Sequence, residues 1–175
     1  MRYIIYYFLP IFLSAHPHIF IDIHLNIFEK NKEFKKIQVQ WVFDDMNSEI
    51  LILDYDLNRD RKFSANETQL FKDEVFNILT AQYHSYTYLK LNSKDINISK
   101  RIADFTLSIR GNQFFQLSYT IDLSRFKDID YFELSFYDES YMTSMILKEK
   151  YVKGLKNIML VEDDNFYGYK LIGWF

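Results

Sequence analysis

The twelve residues Asp56-Leu57-Asn58-Arg59-Asp60-Arg61-Lys62-Phe63-Ser64-Ala65-Asn66-Glu67 carry an oxygen donor at each place where a calcium loop of the EF-hand type takes a ligand. Such a loop uses its first, third, fifth, seventh, ninth and twelfth residues, because a hard cation of this size takes roughly six to eight oxygens and a bidentate carboxylate closes the cage. Here the donors are Asp56, Asn58, Asp60, the carbonyl of Lys62, Ser64 acting through a water, and Glu67. Phe63, in eighth place, is the apolar side chain that anchors such a loop to a core.

The sixth place departs from the pattern. A sharp turn calls for Gly there, and this chain has Arg61. A non-Gly residue at positive φ costs about 1–2 kcal/mol, roughly tenfold in affinity if all of it is expressed in binding. Arg59, Arg61 and Lys62 also place positive charge beside the cation. The expectation is a weak Ca2+ site, suited to a calcium-rich compartment outside the cytosol.

Outward from the loop, residues 44–53 read as the entering helix, with Asp44, Asp45 or Asn47 as cap and Ile50, Leu51 and Leu53 as core positions. Residues 65–82 read as the exiting helix, with Phe71, Val75, Ile78, Leu79 and Gln82 at helical spacing. Residues 16–28 alternate with period two, which places Ile19, Ile21, Ile23 and Leu25 on one strand face and His16, His18, Phe20, Asp22 and His24 on the other. Residues 37–43 alternate again and are expected to pair back as a hairpin, with Val39, Trp41 and Phe43 on one side. Further strands are expected over 86–91, 104–110, 114–123 and 131–137, with a polar turn at 92–95 and a hairpin turn at Gly111-Asn112. Together these elements make an α+β domain, an antiparallel β-sheet with an inserted EF-hand-like helix-loop-helix.

Of the 175 residues, 49% are hydrophobic and 19% aromatic, with four Gly and two Pro, a composition that buries a core rather than staying disordered. The formal net charge of −3 argues against nucleic acid as a partner. There is no Cys, so no disulfide and no thiolate site can form. Arg2, the apolar run 3–13 and the ending Leu13-Ser14-Ala15 have the layout of a secretory signal peptide over residues 1–15. That run is too short for a permanent transmembrane helix. The mature chain, residues 16–175, is expected to be one domain beginning at His16 and located in the periplasm.

His16-Pro17-His18 directly after the leader, then Asp22, Trp41-Val42-Phe43-Asp44-Asp45, the D-x-N-x-D of the loop, Tyr86-x-Tyr88-Leu89 and Phe136-Tyr137-Asp138-Glu139-Ser140-Tyr141 follow in a characteristic order. The chain in this respect resembles a periplasmic family of unknown function, whose members are often labelled periplasmic components of an uncharacterised ABC-type transport system. Genes of that family commonly sit beside nickel/cobalt permeases, so the resemblance implies a role in transition-metal handling with a membrane permease as partner. It spans residues 16 to about 141. Arg61 departs from the Gly usual in that family.

A chain starting at His16 offers an α-amino group and two imidazoles, which give up their protons readily to a metal near neutral pH. Nitrogen donors suit Ni2+, Co2+, Zn2+ and copper. Pro17 has no backbone N–H, which blocks the square-planar mode built on deprotonated amides and leaves a brace of His16 and His18, with Asp22 on the same strand face. No nucleophile with a base, no glycine-rich phosphate loop and no hydrolase signature is present, so the chain reads as a non-enzyme. The expected function is a metal-binding accessory of a transition-metal transport system with calcium as a clip; the alternative is a calcium-stabilised interaction module without a transition-metal role.

Overall fold

A computed structural model describes residues 18–30, 33–163 and 168–174, so the expected leader and His16 lie outside the described residues. The alternation after His18 forms strand β1 (Ile19–Lys30), which turns Ile21, Ile23, Leu25 and Ile27 into the core at 2% exposure or less. Phe20, Asp22 and His24 take its outer face. Strand β2 (Glu33–Phe43) pairs back antiparallel, Ile21 opposite Phe43 and Leu25 opposite Val39. This is the expected hairpin.

Two five-stranded sheets result. The first runs in the order β5 (Ile102–Arg110), β6 (Phe114–Asp122), β2, β1, β8 (Thr143–Lys153). The second runs β4 (Lys94–Ile96), β3 (Thr87–Leu91), β7 (Tyr131–Phe136), β10 (Gly168–Trp174), β9 (Ile158–Asp163). The expected single antiparallel sheet is therefore corrected to two, and β1 pairs with β8 in parallel, Ile19 opposite Thr143. The sheets meet through aromatic side chains. Phe34 stacks on Phe132 with centroids 4.8 Å apart, and the fully buried Tyr119 hydroxyl pairs with Thr87 Oγ1 at 2.8 Å. Gly111 and Asn112 both have φ of 60°, the left-handed pair a tight β5–β6 turn requires. Asp138, 1% exposed, accepts from the Ser140 N–H and hydroxyl and from the Thr143 N–H, so it shapes the turn from β7 into β8.

Helix α1 (Asp45–Tyr55) is capped by Asp44, whose Oδ1 accepts from the Asn47 N–H. Its other oxygen accepts from the Phe20 N–H at 2.9 Å, tying the helix start to β1. Ser48, fully buried, donates to the Phe43 carbonyl and accepts from the Phe115 N–H. These bonds set the rotation of the helix. Ser48 and Ile52 face inward, and Ile50 and Leu53, expected in the core, are 50% and 66% exposed.

The exiting segment is α2 (Ala65–Phe71), a wide turn over Lys72–Phe76, and α3 (Asn77–Tyr83). The Asn77 N–H bonds the Lys72 carbonyl, an i→i+5 closure that admits one extra residue. This brings Phe76 beside Phe71 in the core, against Phe105, and leaves Ile78 and Gln82 outside. A strict 3.6-residue period could not place Phe76. Among the described residues no helix is long and apolar enough to cross a membrane.

Replacing Asp44 by Ala removes the cap and the tether to β1 together. A loss of about 1–2 kcal/mol is expected, seen in urea unfolding as a lower midpoint at unchanged slope.

Candidate metal loop and the groove beside the first strand

Asp56 ends α1 and Ser64 caps α2, so two helix termini fix the two ends of the loop. Asp56 is buried, and its carboxylate accepts from the Asp60 and Arg61 N–H groups at 3.2 and 2.9 Å. Asn58 Oδ1 accepts from the Asp60 N–H, and Asp60 Oδ1 accepts from the Lys62 N–H at 2.8 Å. Glu67, also buried, reaches back across the loop: one oxygen accepts from the Leu57 and Asn58 N–H groups, the other from Ser64. The Ser64 hydroxyl accepts from the Glu67 N–H in return, a reciprocal capping box.

Hydrogen bonds from Ser64, with those from Asn58 and Leu57, hold the Glu67 carboxyl below its ordinary 4.5 against the opposing effect of burial. Arg61 has φ of 64°, as its place in the loop demands, and Arg59 is left-handed too, at 59°. The Arg61 guanidinium also bonds the Asn112 carbonyl in the β5–β6 turn. All six expected loop positions thus lie on one turn between two helices. Their carboxylates point at the loop's own N–H groups, and among the described residues no three His, Cys, Asp or Glu side chains converge closely enough to hold an ion.

His18 is exposed at the start of β1; its N–H bonds the Met142 carbonyl and its carbonyl accepts from Asn47 Nδ2. Asp22 lies four strand residues on, about 13 Å along at ~3.3 Å per residue, so the structure does not bring the pair together. Asp22 instead faces Lys148, 3.7 Å away, and the Tyr151 hydroxyl at 3.5 Å. His84 is the left-handed C-cap of α3.

A groove of about 390 Å3 lies on the outer face of β1, lined by Phe20, Asp22, His24, Arg110, Ile146 and Tyr151 among others. In it the Tyr151 ring stacks on His24 at 3.9 Å, and Arg110 Nη1 lies 3.0 Å from His24 Nε2. A guanidinium only donates, so Nε2 is the acceptor and the imidazole is neutral, with its proton on Nδ1. Burial, then Arg110, with Lys153 and Lys148 adding, push the His24 pKa below its ordinary 6.5, while Asp22 opposes them. Sequence reasoning found Asp22 and His24 but missed Arg110 and Tyr151. Tyr151 arrives there through the pairing of β1 with β8, a long-range contact that the sequence does not signal: Ile23 faces Leu147 and Leu25 faces Val152, so residues 148–151 bulge out opposite His24.

No solved structure matches the chain. A relative in Haemophilus influenzae (strain ATCC 51907 / DSM 11121 / KW20 / Rd), described as an uncharacterized protein, is 29% identical over 145 residues, which cover 82% of this chain and 68% of the relative. The model of the family described as protein of unknown function (DUF1007) matches residues 1–162, and the chain belongs to that family.

Proposed function

We propose that the protein is a secreted periplasmic metal-binding accessory of a transition-metal transport system, handling nickel, cobalt or zinc, with loop 56–67 as an EF-hand-like calcium clip. The observation that supports the clip is the loop itself: Asp56, Asn58, Asp60, Lys62, Ser64 and Glu67 supply oxygen at the six ligand places, on a turn whose sixth residue already has the left-handed φ of such loops. This donor set fits a hard cation. Calcium bound there would tie the end of α1 to the start of α2. His16 and His18 form the exchange site for the transition ion at the chain end, and a membrane permease is the receiving partner; both come from the resemblance and from the chemistry of an N-terminal histidine.

Calcium in millimolar amounts is expected to raise the melting temperature. At a free concentration about ten times a submillimolar Kd, the gain is about 1.4 kcal/mol. Glu67→Gln is expected to abolish that increment; a wild-type melting point indifferent to calcium sinks the clip.

Glu67 also sets a pH dependence. Its carboxyl is depressed in the folded state, so its contribution is fully present above the ordinary value of 4.5 and is lost as pH falls through the lower folded value. Unfolding followed below pH 5 should show the wild type losing more stability than Glu67→Gln.

For the exchange site, native mass spectrometry of protein exported with its own leader should show a chain beginning at His16 that takes one calcium and, separately, one nickel, cobalt or zinc. One residue added before His16 should weaken the transition ion by at least tenfold and leave calcium unchanged. Equal affinity with and without that residue favours the interaction module.

A further inference from the structure

Helix α1 is apolar on two opposite faces. One is the inward face of Ile52, Leu51 and Tyr55. On the other, Met46, Ile50, Leu53 and Leu57 stand 61%, 50%, 66% and 64% exposed. Their spacing of four, three and four residues makes one continuous line along the helix and just past its end. An apolar line of this length on the outer face of a helix is unusual for a surface helix, whose outer face is ordinarily polar.

The borders of the line say what. Residues 44–56 contain Asp44, Asp45, Glu49, Asp54 and Asp56 and no Lys or Arg. At 100° per residue, Asp45 and Glu49 border the line on one side and Asp54 on the other, all three exposed. Asp45 also accepts from the Gln113 side-chain amide. Beside the line lies a cavity of about 450 Å3 whose lining includes Asp45, Glu49, Leu53, Arg59 and Arg61. An apolar line with acidic borders matches the apolar face of a helix bordered by Lys or Arg.

We infer that the exposed face of α1 docks a basic amphipathic helix of a partner protein, seated on Met46, Ile50, Leu53 and Leu57 with its cations toward Asp45, Glu49 and Asp54. A lipid surface fits less well. Anionic lipid headgroups meet repulsion from the acidic borders. The inference rests on α1 and on Leu57 just past its end, and it does not require a metal at the loop or the chain end.

The test is titration of the full chain with a synthetic Leu-Lys amphipathic peptide about 18 residues long and its Leu-Glu counterpart. The Leu-Lys peptide should bind at least about tenfold more tightly, with the preference shrinking near ~1 M salt. Ile50→Ser with Leu53→Ser should weaken it about tenfold or more at an unchanged melting temperature, because both side chains are exposed. Asp45→Lys with Glu49→Lys should move the preference toward the Leu-Glu peptide. Unchanged affinity in the Ile50/Leu53 double variant reduces the binding to bulk charge and overturns the inference, as does the absence of binding. A dimer in sedimentation that those serines dissolve gives the face to a second copy, and capture by anionic vesicles that they abolish gives it to a membrane; either result overturns it too.

Discussion

The position of α1 depends on a single carboxylate. Asp44 accepts from the Asn47 N–H as a cap and from the Phe20 N–H as a tether, so the helix starts at a fixed point on the edge of the β1–β2 hairpin. Burial opposes ionisation there, yet the N–H groups of Asn47 and Phe20 outweigh it and keep the Asp44 carboxyl below its ordinary 3.8. Four residues on, Ser48 is held by both Phe43 and Phe115, and two points fix the rotation of a rigid rod. The rest follows. Ile52 goes in, Ile50 and Leu53 go out, and Asp56 arrives at the mouth of the loop with its carboxylate turned toward Asp60 and Arg61.

The loop then balances strain against charge. Arg59 and Arg61 are left-handed without being Gly, at roughly 1–2 kcal/mol each. Against this stand the N–H groups gathered by the buried Asp56 and Glu67, bonds to ionised acceptors that are about twice as strong as neutral ones. Neither carboxylate could stay buried without them. This arrangement bears on affinity as well as on stability. A cation taking Glu67 competes with the Leu57, Asn58 and Ser64 N–H groups for the same two oxygens. The weak affinity proposed for this loop would therefore have a second cause besides the strain at Arg61.

What could be read from the sequence was whatever local periodicity and turn chemistry determine. The β1–β2 hairpin, the Gly111-Asn112 turn and a cap among Asp44, Asp45 and Asn47 are all local, and the chain states them directly; the Ser64–Glu67 capping box is local too, but the same two residues read from the sequence as calcium ligands. Long-range pairing is a different matter. That β8 lies parallel to β1 depends on a crossover of more than a hundred residues, and the alternation of Thr143, Met145 and Leu147 is too short a signal to select a partner. The outward face of α1 was illegible for a related reason. Its residues are apolar on both sides, so hydrophobic spacing cannot tell Ile52 from Ile50, and only the contacts of Ser48 decide between them. The wide turn at Lys72–Phe76 broke the assumed period and moved Phe76 to a place that no count of residues assigns.

Charge also separates the two faces of the molecule that bear on ligands. The groove on β1 sets Arg110 against His24, with Asp22 and Asp44 also in its lining. With Nε2 engaged by Arg110, only Nδ1 of that imidazole is left for a metal. Asp22 is shared with Lys148 and Tyr151. His24 and Asp22 are therefore poorly suited to strengthen the transition-metal site proposed at the chain end, which would rely on the amine and imidazoles of the terminus. The calcium clip and the basic partner proposed above would both lie elsewhere, on α1 and the loop that follows it, where Asp45, Glu49, Asp54, Asp56 and Asp60 follow one another in the chain.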